Sequence, residues 1–571
     1  MDKINELFKL WKERATGDPD LINELNFIEN DENAKSEAFY KDLEFGTAGL
    51  RGIIGAGTNR LNIYTIGKAS QGLASYVNSI TDNGSIAIAY DSRIKSDVFA
   101  IRSAEVFAAN GIKVYIYKEL MPTPMLSYAV RALKCDAGIV ITASHNPAKY
   151  NGYKAYDNTG CQLCPEAAEY VYNIMEKVDA FDGVKSIDFE DGLKSGIIEY
   201  ISDDTYNSYI EKVYEQSIAK DIDYSAVSII YSPLNGTGNK PVRTILDKIG
   251  LKNLTVVKSQ ELPDGNFPTV PYPNPEIHEA FNEALKVAEN VDADLLIATD
   301  PDCDRVGIAV KTNGEFKLLS GNDVGVIMLN YILSRRKELG TLPQKPLAVK
   351  TIVTTELIKK ICKKYNCELK EVLTGFKFIG EQITALAEKG EEERYVLGFE
   401  ESYGYLIGTH ARDKDAVVAS MLICEMCAYY KTKGKTLCDV LDDIYREFGY
   451  YFCVQKSFTF EGQSGLKKIS SIMSNLRNNP PKTISAINIK NFKDFEKSVS
   501  LNLIDNSSES IDLPRSNVLG FYLSDGSSVI VRPSGTEPKI KLYIGAIGET
   551  DASCREKLKN LLDSGMELLG V

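Results

Sequence analysis

Short apolar runs alternate with longer amphipathic stretches from the start of the chain to about residue 440. Ile86-Ala87-Ile88-Ala89-Tyr90 predicts a buried strand that runs into Asp91-Ser92-Arg93. Asp97 to Asn110 predicts a helix, with Gly111 as its C-terminal stop. Ile112 to Tyr117 alternates as a strand, and Ala137 to Thr142 is a further apolar strand. This repetition predicts helices covering a sheet. The pattern restarts at Val227 to Tyr231, which ends in Ser232-Pro233-Leu234-Asn235-Gly236-Thr237-Gly238. It restarts again after Asn313-Gly314, with a helix from about Asp323 to Lys337 and a strand near Leu347 to Thr351.

From about Tyr450 the character changes. Tyr451 to Phe460 and Ser528 to Tyr543 predict strands, and Gly465 to Arg477 and Ser553 to Leu569 predict amphipathic helices. A stretch rich in Asn, Ser and Asp, including Asp505 to Ser510, lies between them. The expected organisation is α/β over 1–208, 209–318 and 319–447, followed by an α+β unit over 448–571.

Composition agrees with that count. At about 150 residues per domain, 571 residues suggest roughly four domains. A content of 44% hydrophobic and 25% charged residues excludes a disordered chain or a low-complexity fibre. The formal net charge of -13 argues against a chain-wide nucleic-acid or membrane footprint. With only His145, His278 and His410, a histidine-rich metal centre is excluded, so a metal would need carboxylates or thiolates. Met1 to Leu7 carries acids and lacks the apolar core of a secretory signal. The apolar run Ala416 to Cys424 ends at Glu425, short of the roughly 20 residues a spanning helix needs. Eleven cysteines read as reduced thiols of a cytoplasmic protein. Zinc would require the pairs Cys161/Cys164 and Cys424/Cys427 to meet, yet the second pair lies in an apolar helical stretch where cysteine fills core.

Four segments each follow a strand with polar, glycine-containing sequence, where open α/β sheets place ligands. The first, Thr142-Ala143-Ser144-His145-Asn146-Pro147 to Lys154, offers Ser144 as a nucleophile or phosphoryl carrier and Lys154 as a nearby cation or base. A polar turn after a strand is the plain alternative. No G-x-S-x-G elbow surrounds Ser144. The second is Asp300-Pro301-Asp302-Cys303-Asp304-Arg305. Three acids so close repel one another unless a cation sits among them, and a hard divalent ion is the natural occupant; a solvated acidic loop is the plain alternative. An EF-hand would need Gly and Glu where the chain has Arg305 and Lys311.

The third, Glu400-Glu401-Ser402-Tyr403-Gly404, follows the strand Tyr395 to Leu397, and its carboxylate and hydroxyl suit a polyol. The fourth, Arg532-Pro533-Ser534-Gly535-Thr536, supplies a guanidinium, hydroxyls and a glycine for an anion-binding nest. For these two, a turn or a loop without ligand is the plain alternative. No nucleotide-binding glycine motif occurs where one is needed. A serine, a divalent metal, a polyol reader and a phosphate cradle together suit phosphoryl transfer to and from a sugar hydroxyl.

With these motifs in this order, the sequence resembles the α-D-phosphohexomutase superfamily, and closely its phosphoglucomutase branch. The resemblance runs essentially the full length and includes Phe45-Gly46-Thr47-Ala48-Gly49-Leu50-Arg51-Gly52 and Thr374-Gly375-Phe376-Lys377. The acidic lead-in before Gly46 is similar to the bacterial phosphoglucomutase and eukaryotic phosphopentomutase-like group. The resemblance implies three α/β domains with mixed sheets plus a C-terminal α+β domain around a central cleft. It implies that Ser144 is a phosphoserine which, with Asp300, Asp302 and Asp304, holds one Mg²⁺. Arg51 and Lys154, with His145 beside them, would handle charge and protons near Ser144. Arg305 and Lys377 would contact substrate, Glu400 and Ser402 would read sugar hydroxyls, and Arg532, Ser534, Gly535 and Thr536 would hold the phosphate that is not reacting. Related branches end the sugar loop E-x-S-G-H; here Tyr403-Gly404 follows Ser402, and the histidine role is unfilled.

The implied activity interconverts glucose 1-phosphate and glucose 6-phosphate through glucose 1,6-bisphosphate, which also serves as activator. Mannose and pentose phosphates are the alternatives within the family. A lysine crowded by cations would have a lowered pKa and could act as base. The expected partners are small phosphosugars, with no nucleic acid, membrane or obligatory protein partner. Two other readings compete. Asp302-Cys303-Asp304-Arg305-Val306 fits the D-x-D-x-[TV] pattern of haloacid-dehalogenase-type phosphotransferases, but that reading leaves Ser144 and the Arg532 loop without a role. A phosphosugar-binding protein without turnover is the other, although no motif residue is missing.

Overall fold

The structure is a computed structural model that describes residues 2–46, 49–219, 222–460, 462–534 and 539–571. The chain forms two compact units. One comprises Met1–Leu319, Ile379–Tyr395 and Ser402–Gly434, and the other Ser320–Phe378, Val396–Glu401 and Lys435–Val571.

The first unit opens with three helices, Asp2–Arg14, Pro19–Ile28 and Glu32–Phe39. Asp18 and Asp31 start the second and third, each accepting a backbone N–H in the first turn. The helices close around Trp11, which is 2% exposed and meets Phe39, Tyr64 and Phe181 edge-on. The first sheet has the order Leu50–Ile53, Tyr150–Asp157, Ala137–Ile141, Ser85–Tyr90, Lys113–Ile116, Ile198–Tyr200. The last four strands are mutually parallel, and the first two are antiparallel to their neighbours. The helices Ile63–Ile80 and Ser96–Ala109 supply buried Leu73, Val77, Phe99 and Phe107 to the same core.

The second sheet repeats this plan in the order Glu315–Leu319, Val306–Thr312, Leu295–Thr299, Ile229–Ser232, Leu254–Val256. Three parallel strands again give way to antiparallel ones. In both sheets the switch is made by the loop that leaves the C-terminal end of a fully buried strand. In the first it joins Ala137–Ile141 to Tyr150–Asp157, and in the second Leu295–Thr299 to Val306–Thr312. These two loops carry Ser144 and the three aspartates. The apolar run at Ala416 forms a helix, Ala416–Lys431, buried on nearly every side.

In the second unit Leu347–Thr351 pairs in parallel with Glu368–Val372, and the helix Gly321–Glu338 packs Gly325 directly against Phe399. The strand expected over Ser528 to Tyr543 is two strands. Ser528–Pro533 and Lys539–Gly548 lie antiparallel, with Pro533 opposite Ile540. Both arms bury alternate residues in one core, Val529 and Val531 from the first and Ile540, Leu542 and Ile544 from the second, so their patterns read alike in sequence. These strands belong to an antiparallel sheet that also contains Tyr450–Thr459, Ile487–Asp494 and Leu519–Leu523. One apolar face is covered by the helices Gly462–Asn478 and Asp551–Leu569, through Ile469, Met473, Leu561 and Leu569. The whole is a four-domain α/β architecture with mixed sheets. Among the described residues no helix is long and apolar enough to cross a membrane.

Candidate functional site

The loop after Ile141 turns sharply. Ser144 has φ 52°, a left-handed conformation that costs an L-residue roughly 1–2 kcal/mol. Its N–H donates to Thr142 Oγ1 at 2.8 Å. The guanidinium of buried Arg93 donates to the carbonyl oxygens of Ser144 and Asn146, and to those of Pro147 and Tyr150 at 3.0 Å. So held, Ser144 Oγ donates to Asp300 Oδ2 at 2.8 Å and lies 3.2 Å from His145 Nδ1.

The aspartate loop is folded as tightly. Asp300 N–H donates to Arg305 O at 3.2 Å, Cys303 N–H donates to Asp300 O at 2.9 Å, and Cys303 takes φ 52°. Pro301 O accepts both Thr237 N–H and Thr237 Oγ1. Glycine is required at 236, since a Cβ there would lie 2.4 Å from Pro301 Cα. The segment Ser232 to Gly238 is thus the seat of the aspartate loop.

Each of the three carboxylates has one oxygen pinned. Asp300 Oδ1 accepts the N–H groups of Asp304 and Arg305 at 3.1 and 2.9 Å. Asp302 Oδ2 accepts Thr123 Oγ1 at 2.8 Å and Lys154 Nζ at 2.7 Å. Asp304 Oδ2 lies 3.1 Å from both Lys154 Nζ and Lys414 Nζ. The remaining oxygens, Asp302 Oδ1 and Asp304 Oδ1, are buried and accept no hydrogen bond among the described residues. The three residues offer ligand oxygens within 4.8 Å of one another. A buried carboxylate oxygen without a hydrogen bond is costly, and a hard cation is an occupant that such oxygens suit. The residues therefore fit a divalent metal ion and could bind one. The pinned oxygens supply the outer support that orients ligands.

The electrostatics point the same way. Burial, and then the charges of Asp302 and Asp304, push the Asp300 carboxyl well above its ordinary range. Burial also opposes charge on Asp304, but Lys154, Lys414 and Arg305 outweigh it and hold that carboxyl below its ordinary range. Burial, with Arg305 and Arg51 nearby, drives His145 well below its ordinary range, so its ring is neutral. Lys154 overturns an expectation. Burial opposes its charge, yet Asp302 and Asp304 win and raise its pKa. Lys414 alone would have lowered it; the adjacent carboxylates reverse the sign.

The structure brings Ser144, His145, Lys154, Asp300, Asp302, Asp304 and Arg305 together in one unit, with Arg51 on the antiparallel edge strand opposite Gly152. Arg305 pairs with Glu276. Ser402 is half-buried in the same unit. Lys377, Glu400 and Arg532 belong to the other unit. There Glu400 Oε1 accepts Gly375 N–H at 2.9 Å, and Lys377 Nζ lies 5.0 Å from the centre of the Phe378 ring. Arg532 hydrogen-bonds Tyr543, and Ser534 N–H donates to Lys539 O at 2.8 Å. Gly535 and Thr536 lie outside the described residues.

Sequence reasoning missed Lys414, Thr123 and Arg93. The signal for Lys414 was Asp413-Lys414-Asp415, placed immediately before the apolar helix. Asp415 caps that helix by accepting Val417 and Val418 N–H, and Ala416 N–H donates to Cys303 O of the aspartate loop at 3.2 Å. Asp413 accepts Lys414 Nζ at 3.0 Å and Tyr156 OH at 2.8 Å. His410 is buried, with Nε2 2.7 Å from Asp415 Oδ2, and Tyr209 OH donates to the same carboxylate. It is committed to the helix cap. Cys424 and Cys427 are buried in the helix Ala416–Lys431, while Cys164 is exposed.

Four family models match the chain in order. They are the phosphoglucomutase/phosphomannomutase alpha/beta/alpha domain I over 42–182, domain II over 207–314, domain III over 320–448, and the C-terminal domain over 483–557. The chain is 39% identical over 540 residues to a phosphoglucomutase of Staphylococcus aureus strain MRSA252, covering 94% of this chain and 95% of that one. It is 38% identical over 513 residues to the phosphoglucomutase of Staphylococcus saprophyticus, covering 90% and 92%. Among solved structures, the phosphoglucomutase pp63/parafusin from Paramecium in its open form superposes with a TM-score of 0.67 at 18% identity, covering 93% and 96%. A phosphoglucomutase/phosphomannomutase family protein from Burkholderia thailandensis gives 0.64 at 17% identity, covering 92% and 97%.

Proposed function

Because the chain belongs to the phosphoglucomutase/phosphomannomutase family and is a phosphosugar mutase, we propose that it interconverts glucose 1-phosphate and glucose 6-phosphate through phospho-Ser144. The observation that carries this is Ser144 Oγ, 2.8 Å from Asp300 Oδ2 and beside two buried carboxylate oxygens that accept no hydrogen bond among the described residues.

In this reading the phosphoryl group passes from Ser144 Oγ to O6 of glucose 1-phosphate. The P–O bond to serine breaks as the bond to O6 forms, and Ser144 Oγ regains the proton that the sugar hydroxyl gives up. Glucose 1,6-bisphosphate results. It turns over and returns its other phosphate to Ser144, which also accounts for its role as activator. Asp300, Asp302 and Asp304, with the Ser144 phosphate, would hold one Mg²⁺. When bound, that ion offsets the charge of about -1.5 to -2 on phosphoserine and steadies charge on the transferring oxygens. Lys154 and Lys414 hold fixed positive charge against Asp304, and neutral His145 hydrogen-bonds the serine oxygen. Arg51, Arg305 and Lys377 would attract phosphate or substrate, Glu400 and Ser402 would read the sugar hydroxyls, and Arg532, Ser534, Gly535 and Thr536 would hold the second phosphate. The Gly375 N–H fixes the Glu400 carboxylate through Oε1. The domain limits 1–208, 209–318, 319–447 and 448–571 and a cytoplasmic location belong to the same reading.

The test is a kinetic comparison of glucose, mannose and ribose 1-phosphates with glucose 1,6-bisphosphate present, beside intact-mass mapping of the purified protein. Glucose 1-phosphate is expected to give the highest kcat/KM, with phosphate on Ser144. Phosphate on Asp302 and none on Ser144 would sink the mutase mechanism in favour of the dehalogenase-type one.

A further inference from the structure

The residue that holds the Ser144 loop lies outside it. Arg93 sits just beyond the strand Ser85–Tyr90, which runs parallel to the strand that delivers Ser144. The residue is 2% exposed. The guanidinium donates to four carbonyl oxygens of one loop, those of Ser144, Asn146, Pro147 and Tyr150. The group is itself fixed on its other sides. Asp91 Oδ2 lies 3.4 Å from Nε, Asp91 Oδ1 accepts Arg93 N–H at 2.9 Å and Ser96 Oγ at 2.7 Å, and the Phe267 ring lies 5.0 Å from the guanidinium carbon. Asp91 N–H donates to Ile141 O, so this anchor is tied to the strand end before the loop.

Two physical consequences follow. A left-handed Ser144 persists only where its surroundings over-determine it, and four convergent carbonyl contacts do so. The same contacts turn those carbonyl oxygens toward a cation, and so away from the anionic group Ser144 would carry. Only a planar fork with several N–H donors spans four acceptors; a lysine offers one compact ammonium.

We infer that Arg93 is a positioning residue for phosphoryl transfer, fixing the loop backbone so that Ser144 Oγ stays aligned on Asp300 in both the phosphorylated and the free state. The inference rests on Ser144 being the phosphoryl carrier. Arg93 does not touch the reacting atoms, so its effect must be read per active site. In Arg93→Lys, the rate should be normalised to the fraction of phospho-Ser144 measured by intact mass after treatment with glucose 1,6-bisphosphate. The expected result is a kcat per phosphorylated site about 100-fold below wild type, with KM for glucose 1-phosphate changed less than about threefold. A merely structural role would lower the melting temperature and the yield of phosphorylated sites, but leave kcat per site intact; that outcome overturns the inference. If Arg93→Lys does not fold, Phe267→Leu removes only the ring over the guanidinium. It should lower kcat per site about threefold to tenfold, and an unchanged value again overturns the inference. The wild-type control separates the two claims. Absence of phosphate on wild-type Ser144 defeats the carrier assignment, whereas a phosphorylated wild type with a full-rate Arg93→Lys defeats only the role of Arg93.

Discussion

Lys154 and Lys414 place their ammonium groups against one carboxylate oxygen, Asp304 Oδ2, each at 3.1 Å. They come from positions 260 residues apart, yet each also holds a second aspartate, Asp302 for Lys154 and Asp413 for Lys414. Replacing Lys414 with Met therefore unbalances the aspartate loop and removes a preorganised cation. A fall in kcat of about 100-fold or more is expected, with a lower melting temperature because Asp304 and Asp413 lose a buried partner. A steady-state assay checks it, and a loss under about threefold would exclude a role for Lys414 in turnover.

Ser144→Ala should abolish mutase turnover while preserving the circular dichroism spectrum and the unfolding midpoint. The hydroxyl makes two side-chain contacts and fills no core position. Intact mass should lack the phosphoryl increment expected in the wild type. A variant that turns over at the wild-type rate would refute the phosphoserine.

Chelation of divalent metal should stop turnover, and added Mg²⁺ should restore it. Asp302→Asn should resist that restoration, because it removes a ligand oxygen and disturbs the contact with Lys154. A rate indifferent to a strong chelator would remove the role given to the three aspartates.

In the second unit the fully buried Lys350 Nζ lies 2.9 Å from Glu356 and 2.8 Å from Glu371. Burial opposes charge on Glu356, but Lys350 and Lys359 outweigh it and lower its pKa below the ordinary 4.5. The ionised form is thus favoured more in the folded chain than in the unfolded one. The stability it contributes is present above the ordinary value and is lost as pH falls through the lower folded one. The fall in melting temperature between about pH 5 and pH 3 should be larger for wild type than for Glu356→Gln. Equal slopes would show that the pair does not couple to folding.

Trp11→Ala tests the N-terminal helices. The indole meets Phe39, Tyr64 and Phe181, and its loss should cost about 3–5 kcal/mol in denaturant unfolding of that region. A change below about 1 kcal/mol would mean that the three helices are docked by other contacts.

Much of this was legible in the chain. Apolar runs such as Ala137–Ile141 and Leu295–Thr299 are buried over their full length, so period and composition alone mark them. The aspartates at alternate positions were legible because mutual repulsion needs an external cation to resolve it. Lys414 was hidden because its partner, Asp304, is brought to it only by the fold. Arg93 was visible as a strand exit, but its four acceptors are backbone carbonyls, which leave no trace in side-chain identity. The sign of the Lys154 shift also escaped, since it depends on which charges stand nearest and not on how many lysines the loops contain. The hairpin over Ser528–Gly548 was merged into one strand because both arms bury alternate residues on a common face.

The buried oxygens Asp302 Oδ1 and Asp304 Oδ1 have one more consequence, for the lifetime of the protein. An ion that binds them binds the folded chain and not the unfolded one, so folding and ion supply become a single linked equilibrium. At a hundred times its dissociation constant such an ion adds about 2.7 kcal/mol to stability. The supply of such an ion would then govern how much of the folded chain survives proteolysis.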